Sequence, residues 1–305
     1  MKIIFAGSPE FAVPVLSKLL QCGKNVVAVI TQPDKPVGRK KVLTPTPVKA
    51  FASVQNIPVY DFVKIRDNVQ TLKEIGADIM ITCAYGQILT QQVLDCFSGG
   101  VWNIHASLLP RFRGASPIQS AILSGETHTG VTVMKTQLDL DTGDMLLVKR
   151  CEIGSMTYGE LCQALSQLGA EAAVEAVELL EHGDCQLLMQ DEASATYCKK
   201  ISKCDGKINF DNSPQHICRL IKAYSPEPVA FCNLNGDILN IYDCEKCEVE
   251  DGKIGEVVKA DKNGITVKCN GGGIVITELQ ASGSKKMRAC DFVNGRKIKV
   301  GDILD

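Results

Sequence analysis

Two polar side chains in the run Val101-Trp102-Asn103-Ile104-His105 have the types and the spacing to do chemistry together. In an extended strand, side chains two apart share a face, so Asn103 and His105 would project into one cavity. A neutral amide donor can hold a developing oxyanion, and an imidazole can exchange a proton or polarise a carbonyl near neutral pH. Neither role needs a metal. From these two residues alone, a strand-end cap and a satisfied, half-buried histidine fit equally well. Downstream, Ser107-Leu108-Leu109-Pro110 offers a polar handle beside an apolar rim suited to a flat ring. Arg111 and Arg113, separated by Phe112, suit an anionic tail or an RNA phosphate. Asp139, Asp141 and Asp144 crowd a later turn, but their spacing lacks an EF-hand pattern and no metal site is expected.

Composition bounds the rest. A chain of 305 residues with 45% hydrophobic content exceeds one usual domain and supplies two cores. The formal net charge of -2 excludes a protein coated with positive charge, so any polyanionic partner must meet a local patch. The 14 cysteines are scattered, and Met1-Lys2 runs directly into the strand-like Ile3-Ile4-Phe5-Ala6. No secretory segment is therefore expected, and a reducing cytosol with buried, inert thiols is. The one tight pair, Cys244-Glu245-Lys246-Cys247, lacks the second CxxC or the histidine that would complete a zinc site. No apolar run is long enough to span a bilayer. The expectation is a soluble, cytoplasmic, monomeric protein without a membrane partner.

The elements that must position these residues read as follows. Lys2 to Ala6 is a strand, and Ser8-Pro9-Glu10 caps a helix over Phe11 to Gln21. The turn lacks a full GxGxxG, so a dinucleotide site is not expected. Asn25 to Thr31 is a second buried strand. Gln32 to Pro47 then holds four prolines and a glycine, which exclude regular structure, and carries Lys35, Arg39, Lys40 and Lys41 as a flexible basic loop. Helices are expected at Val48 to Asn56, Asn68 to Ile75, Pro117 to Ser124 and Tyr158 to His182. Strands are expected at Ile57 to Tyr60, Ala77 to Ala84 and Val101 to His105, with a hairpin of Thr129 to Met134 and Asp144 to Cys151. Together these make an α/β domain with a mostly parallel sheet over residues 1–190 and a linker over 191–207.

Beyond Lys207 come a helix at Asp211 to Ala223 and short strands at Val229 to Phe231, Ile238 to Tyr242, Gly255 to Lys259, Gly264 to Lys268 and Ile274 to Leu279. That texture predicts a small barrel over 208–305. Lys285, Lys286, Arg288, Arg296, Lys297 and Lys299 cluster near its end, either as the local positive field that the whole-chain charge denies or as ordinary solvated lysines.

The run from Trp102 to Gln119, together with Met1 to Phe11, Thr31 to Lys49, Ala84-Tyr85-Gly86 and Leu140-Asp141-Thr142-Gly143-Asp144-Met145-Leu146, occurs in the order found in the folate-dependent formyltransferase family, which the chain resembles over most of its length. The resemblance implies a Rossmann-like domain followed by an OB-like domain, and formyl transfer from 10-formyltetrahydrofolate to the α-amino group of methionyl-initiator-tRNA. It implies Asn103, His105 and Asp141 as catalytic, with Asp141 holding the tautomer of His105 and relaying the amine's proton. It implies a folate site of Ser107, Leu108, Leu109 and Pro110 with the turn Tyr85, Gly86, Gln87, Ile88 and Leu89. It implies that the insertion reaches the tRNA, with Arg39 at the family's arginine; Lys35, Lys40 and Lys41 beside it, and Lys285, Lys286 and Arg288 on the barrel, are the other basic residues expected to contact the tRNA. Trp102 and Ala106 depart from the small aliphatic residue and the glycine usual there; Lys40 stands where a glycine often follows the arginine; Tyr224-Ser225-Pro226-Glu227-Pro228 replaces Asn-Pro-Trp-Pro. Alternatives are formylation of an amino sugar-nucleotide, which the basic insertion counts against, and a non-catalytic RNA-binding protein on an enzyme scaffold, which the intact trio counts against.

Overall fold

The computed structural model describes residues 1–38 and 40–305. It contains two compact units, one of Met1–Pro117, His128–Glu152 and Cys162–Cys198, the other of Ile118–Thr127, Ile153–Leu161 and Lys199–Asp305. In chain order the strands up to residue 198 are β1 (Lys2–Gly7), β2 (Asn25–Ile30), β3 (Lys35–Val37), β4 (Val42–Thr44), β5 (Val59–Tyr60), β6 (Ile79–Cys83), β7 (Val101–His105), β8 (Arg113–Gly114), β9 (His128–Lys135), β10 (Met145–Glu152) and β11 (Tyr197–Cys198). The helices are α1 (Val13–Gln21), α2 (Pro47–Val54), α3 (Val69–Ile75), α4 (Gln91–Leu94), α5 (Pro117–Ser124) and α6 (Tyr158–His182).

The first unit is built on a seven-stranded sheet in the order β10-β9-β7-β6-β1-β2-β5. β5, β2, β1, β6 and β7 run parallel, and β9 and β10 extend the sheet antiparallel. The sequence dictates the centre. Ile3, Ile4, Phe5 and Ala6 are all fully buried, so both faces of β1 are covered, the condition of a parallel strand flanked by helices. Each large side chain there contributes about 1.5–3 kcal/mol of apolar burial. Edge strand β10 alternates half-buried and exposed from Leu147 onward, as a one-sided strand must. The carboxyl ends of β1, β6 and β7, where ligands of such sheets bind, lead into Ser8, Ala84 and Ala106.

Two expectations are corrected. Ser8 does not cap the first helix: a 3-10 turn at Glu10–Ala12 intervenes, and α1 begins at Val13 without a side-chain cap. Its hydroxyl instead accepts from the Gln32 amide at 3.2 Å and lies 3.4 Å from the Tyr85 carbonyl, stitching three loops together. The proline-rich insertion is not irregular. β3 and β4 pair antiparallel, Lys35 with Thr44 and Val37 with Val42. Both strands of a lone ribbon are edges, which is where a proline such as Pro36 is tolerated. Gly38 and Lys41 take left-handed φ values of 73° and 48° at its turn. Segment 191–207 also carries structure, since Tyr197–Cys198 pairs in parallel with Arg113–Gly114.

The second unit holds β12 (Ala230–Leu234), β13 (Asp237–Cys247), β14 (Val257–Asp261), β15 (Gly264–Cys269), β16 (Gly272–Ala281) and β17 (Met287–Arg288), with α7 (Pro214–Tyr224) and α8 (Ala289–Asn294). The strands are all antiparallel in the order β12-β13-β16-β15-β14, with β17 on β16. Residues 302–305 bridge both ends of this sheet. Val257 donates to Asp302 at 2.8 Å and Leu304 to Gly255 at 2.8 Å on one side, while Asn233 and Asp305 exchange bonds of 2.6 and 3.1 Å on the other. The strip closes the sheet into an OB-like barrel and satisfies edges that would otherwise template association. Leu304 is 2% exposed at this closure. Leu304→Ala is therefore expected to destabilise the barrel by about 2–5 kcal/mol, read as a lowered urea midpoint with an unchanged slope.

Candidate active site

β7 presents its polar residues as the period-two pattern requires. Asn103 sits opposite Thr82 of β6, and the Thr82 hydroxyl donates to Asn103 Oδ1 at 2.8 Å. That bond ties down the amide oxygen and leaves Nδ2 as the donor. His105 is 6% exposed, and its Nε2 lies 3.0 Å from the Phe112 carbonyl. A carbonyl only accepts, so Nε2 carries a proton and the tautomer is fixed by the main chain. The other nitrogen, Nδ1, faces Asp141 Oδ2 at 3.7 Å. Asp141 is thus not the group that sets the tautomer. The 3.7 Å gap exceeds a direct hydrogen bond and suits a bridging water or reacting group.

Asp141 comes from the β9–β10 connection and takes a left-handed φ of 54°. Its Oδ2 accepts from the Gly114 amide at 2.8 Å. Gly143, two residues on, lies against the Lys135 carbonyl, where any Cβ would collide. The glycine of this element is therefore required by close backbone passage. Asp139, Asp141 and Asp144 do not converge. Among the described residues, no group of three or more His, Cys, Asp or Glu side chains could hold a metal ion.

The loop after β7 spends its polar groups on itself. Ser107 is fully buried and donates to the Arg111 carbonyl at 2.6 Å, while its own carbonyl accepts from Thr132 at 2.7 Å. Leu109 packs with Met134 and Met145, and Leu108 and Pro110 are half-buried. Trp102 is buried, its indole donating to Gly99 at 2.9 Å. Strand alternation puts it on the face opposite Asn103 and His105. Arg113 corrects the expectation of an anion contact. It is fully buried, forked onto Glu192 at 2.9 and 2.6 Å and onto Gln190 at 3.0 and 2.8 Å. The hydrogen bonds it donates to Glu192 raise the Arg113 pKa further and hold its charge in place. Arg111 stacks on the Phe112 ring at 5.1 Å.

The turn after β6 presents main-chain groups beside one exposed apolar side chain. The carbonyls of Tyr85 and Gly86 accept from Gln32 Nε2 at 3.0 and 3.3 Å. The N–H groups of Gly86, Gln87 and Ile88 have no acceptor among the described residues. Ile88 stands 87% exposed, and Leu89 is half-buried. The Gln87 side chain braces the neighbouring loop through Ile65 N and Phe62 O, both at 2.8 Å. Tyr85 is buried in the apolar core beneath.

Lys35, Lys40 and Lys41 lie exposed on the β3–β4 ribbon, although Lys35 Nζ also donates to Gln32 at 2.6 Å. Arg39, expected to lead the phosphate contacts, lies outside the described residues. In the second unit Lys285, Lys286 and Arg288 are exposed. Lys286 pairs with Glu278 at 2.5 Å and sits over the Tyr242 ring, so part of that charge is answered locally. Thr82 and Gln190 went unseen in the sequence. Only strand register and the fold of residues 188–198 bring them to the trio.

This α/β sheet, with an amide, an imidazole and a carboxylate at its carboxyl edge and a small barrel in the same chain, has the architecture of a two-unit group-transfer enzyme. Family models described as formyl transferase and formyl transferase C-terminal domain match residues 1–177 and 200–297. A methionyl-tRNA formyltransferase of Geotalea uraniireducens is 44% identical over 100% of this chain and 98% of its own length. One from Ruminiclostridium cellulolyticum is 43% identical over 100% and 99%. Among solved structures, an N-formyltransferase from Helicobacter canadensis complexed with folinic acid and dTDP-3-aminofucose shares the fold with a TM-score of 0.70, at 19% identity over 94% of this chain and 100% of that one. HypX from Aquifex aeolicus with tetrahydrofolic acid does so at 0.68 and 17% identity, covering 98% of this chain and 48% of that one. The chain belongs to the formyl transferase family.

All fourteen cysteines are free thiols. Cys244 donates to Cys218 at 3.2 Å, a bond that raises the Cys244 thiol and lowers that of Cys218. Burial pushes the thiols of Cys232 and Cys269 up to about 12 and that of Cys83 higher still. The thiolate is the reactive species. A thiol reagent at pH 8 should therefore label exposed Cys22 and Cys204 first and leave Cys83, Cys232 and Cys269 unlabelled until denaturant is added.

Proposed function

We propose that the protein transfers the formyl group of 10-formyltetrahydrofolate to the α-amino group of methionyl-initiator-tRNA, in a reducing cytosol where its thiols persist. The observation that carries the chemistry is the placing of His105 Nδ1 and Asp141 Oδ2 across a 3.7 Å gap beside the oriented amide of Asn103. The full-length likeness to methionyl-tRNA formyltransferases and the exposed basic ribbon support the acceptor.

In this reading the acceptor amine attacks the formyl carbon, a carbon–nitrogen bond forms, and the bond to the folate nitrogen breaks. Asn103 Nδ2 donates to the oxygen that becomes negative, held in direction by Thr82. His105, its Nε2 proton committed to Phe112, works through Nδ1 on the Asp141 side. Asp141 receives the amine proton, directly or through a water in the gap, and returns it to the leaving nitrogen. The turn at 85–89 and the rim of Leu108, Leu109 and Pro110 hold the donor. Lys35, Arg39, Lys40 and Lys41, with Lys285, Lys286 and Arg288 on the barrel, meet the phosphates of the acceptor.

Asn103→Ala is expected to lower single-turnover formylation on the order of a hundredfold or more while folate binding holds; an unchanged rate would remove Asn103 from the mechanism. Replacing Arg39, Lys40 and Lys41 by alanine should raise KM for charged initiator tRNA and flatten its salt dependence. Folate affinity should stay constant, and equal losses for both substrates would argue against a dedicated RNA ribbon. Labelled formyl donor supplied with initiator and elongator methionyl-tRNA tests the acceptor itself, since equal labelling defeats initiator specificity.

A further inference from the structure

Resting on the assignment of Asp141 to the reaction, we propose that Gln190 is a positioning residue that sets the placement of Asp141 and makes residues 188–198 part of the active-site support. The carboxamide of Gln190 is used from both ends. Its Nε2 donates to the carbonyls of Asp141 and Gly143 at 2.9 and 2.7 Å. Its Oε1 accepts from Arg113 Nε and Nη2 at 3.0 and 2.8 Å. Arg113 in turn adjoins Gly114, whose N–H holds the Asp141 carboxylate at 2.8 Å. The main chain and the side chain of Asp141 are therefore gripped by two neighbours that are locked to each other.

The grip opposes a conformational preference. A non-glycine residue with a φ of 54° lies in the left-handed region, which costs free energy unless its surroundings over-determine it. Of the two carbonyls bound by Gln190, one is that residue's own and the other lies two residues on, at Gly143. Antiparallel pairing of Met145 with Leu188, through bonds of 2.9 Å in both directions, fixes the segment that delivers Gln190. An amide fits this post, because Arg113 is met by an acceptor and the two carbonyls by a donor. A carboxylate supplies the first alone, an amine the second alone.

Gln190→Glu preserves size and improves the contact with Arg113 but turns two donations into repulsions. It is expected to lower kcat at least tenfold, leave KM for both substrates within about twofold, and shift the pH profile, because the Asp141–His105 spacing changes. Gln190→Met, which loses both ends, should be no less impaired. The decisive measurement is a double-mutant cycle with Asp141→Asn, alongside thermal melts of each variant. The inference predicts that Gln190→Glu adds little loss once Asp141 is already replaced. If Gln190→Glu matches the parent, or if its loss multiplies fully with that of Asp141→Asn, Gln190 does not act through Asp141. If Asp141→Asn alone leaves turnover intact, the role of Asp141 itself fails, an outcome distinguishable from the other two.

Discussion

One backbone hydrogen bond, from Gly114 to the carboxylate of Asp141, organises the candidate site of the first unit. Asp141 and His105 are far apart in the chain, and nothing local holds them together. They meet because β9 turns back antiparallel on β7 and the connection to β10 overhangs the loop that follows β7. Both sides of the meeting adopt costly backbone: Phe112 has φ 60° and Asp141 φ 54°. Each outlier is over-determined, Phe112 through its amide to Thr196 at 2.8 Å and its carbonyl to His105. Strain kept by redundant bonds at one small locus marks a functional centre more than a packing accident.

How these groups are held bears on what they can do. Fixing the Nε2 proton on a main-chain carbonyl frees Asp141 from the orienting role that a carboxylate beside histidine is usually given. With its carboxylate already accepting one neutral N–H, Asp141 keeps lone pairs to receive a proton from a third party in the 3.7 Å gap. Asn103 shows the same economy. Thr82 takes the acceptor end of the amide, so rotation cannot exchange oxygen for nitrogen without losing a bond worth about 1 kcal/mol.

The local patterns were legible in the sequence. β7, α5 and α6 have the bounds read from alternation, turn residues and helical spacing, and the β9–β10 hairpin lies within a residue of expectation. What was not legible is what depends on approach in three dimensions. Arg113 reads as an anion contact because it stands with Arg111 as a pair of arginines separated by Phe112. Only the return of Gln190 and Glu192 to the loop shows its charge to be answered. Ser8 looked like a cap because the cap signature is local, whereas its real partners come from two other loops. The insertion looked irregular because four prolines forbid a central strand; they do not forbid a ribbon that is all edge.

That ribbon shows how a weak element can serve. Two strands of three residues have too little pairing to stand alone in water, and Val37, Val42 and Leu43 are exposed on it. Its order is supplied at the base. Thr31 and Thr46 share a 2.6 Å hydroxyl contact. Lys49 reaches Asp34 at 2.8 Å and Asp61 at 2.7 Å, which raises the lysine's pKa and lowers that of Asp61. The Asp61 side of that anchor is present above the usual carboxylate pKa and fades as acid titrates it; the lysine side fades only well into alkali. These side chains are partly solvated, so each pair is worth little alone. Several at one base nevertheless fix where the ribbon leaves the sheet. Its exposed lysines are thus projected from a defined root beside Gln32, which also carries the carbonyls of the 85–86 turn. The surface that would meet a polyanion and the turn that would hold the donor ring share one side chain as their common support.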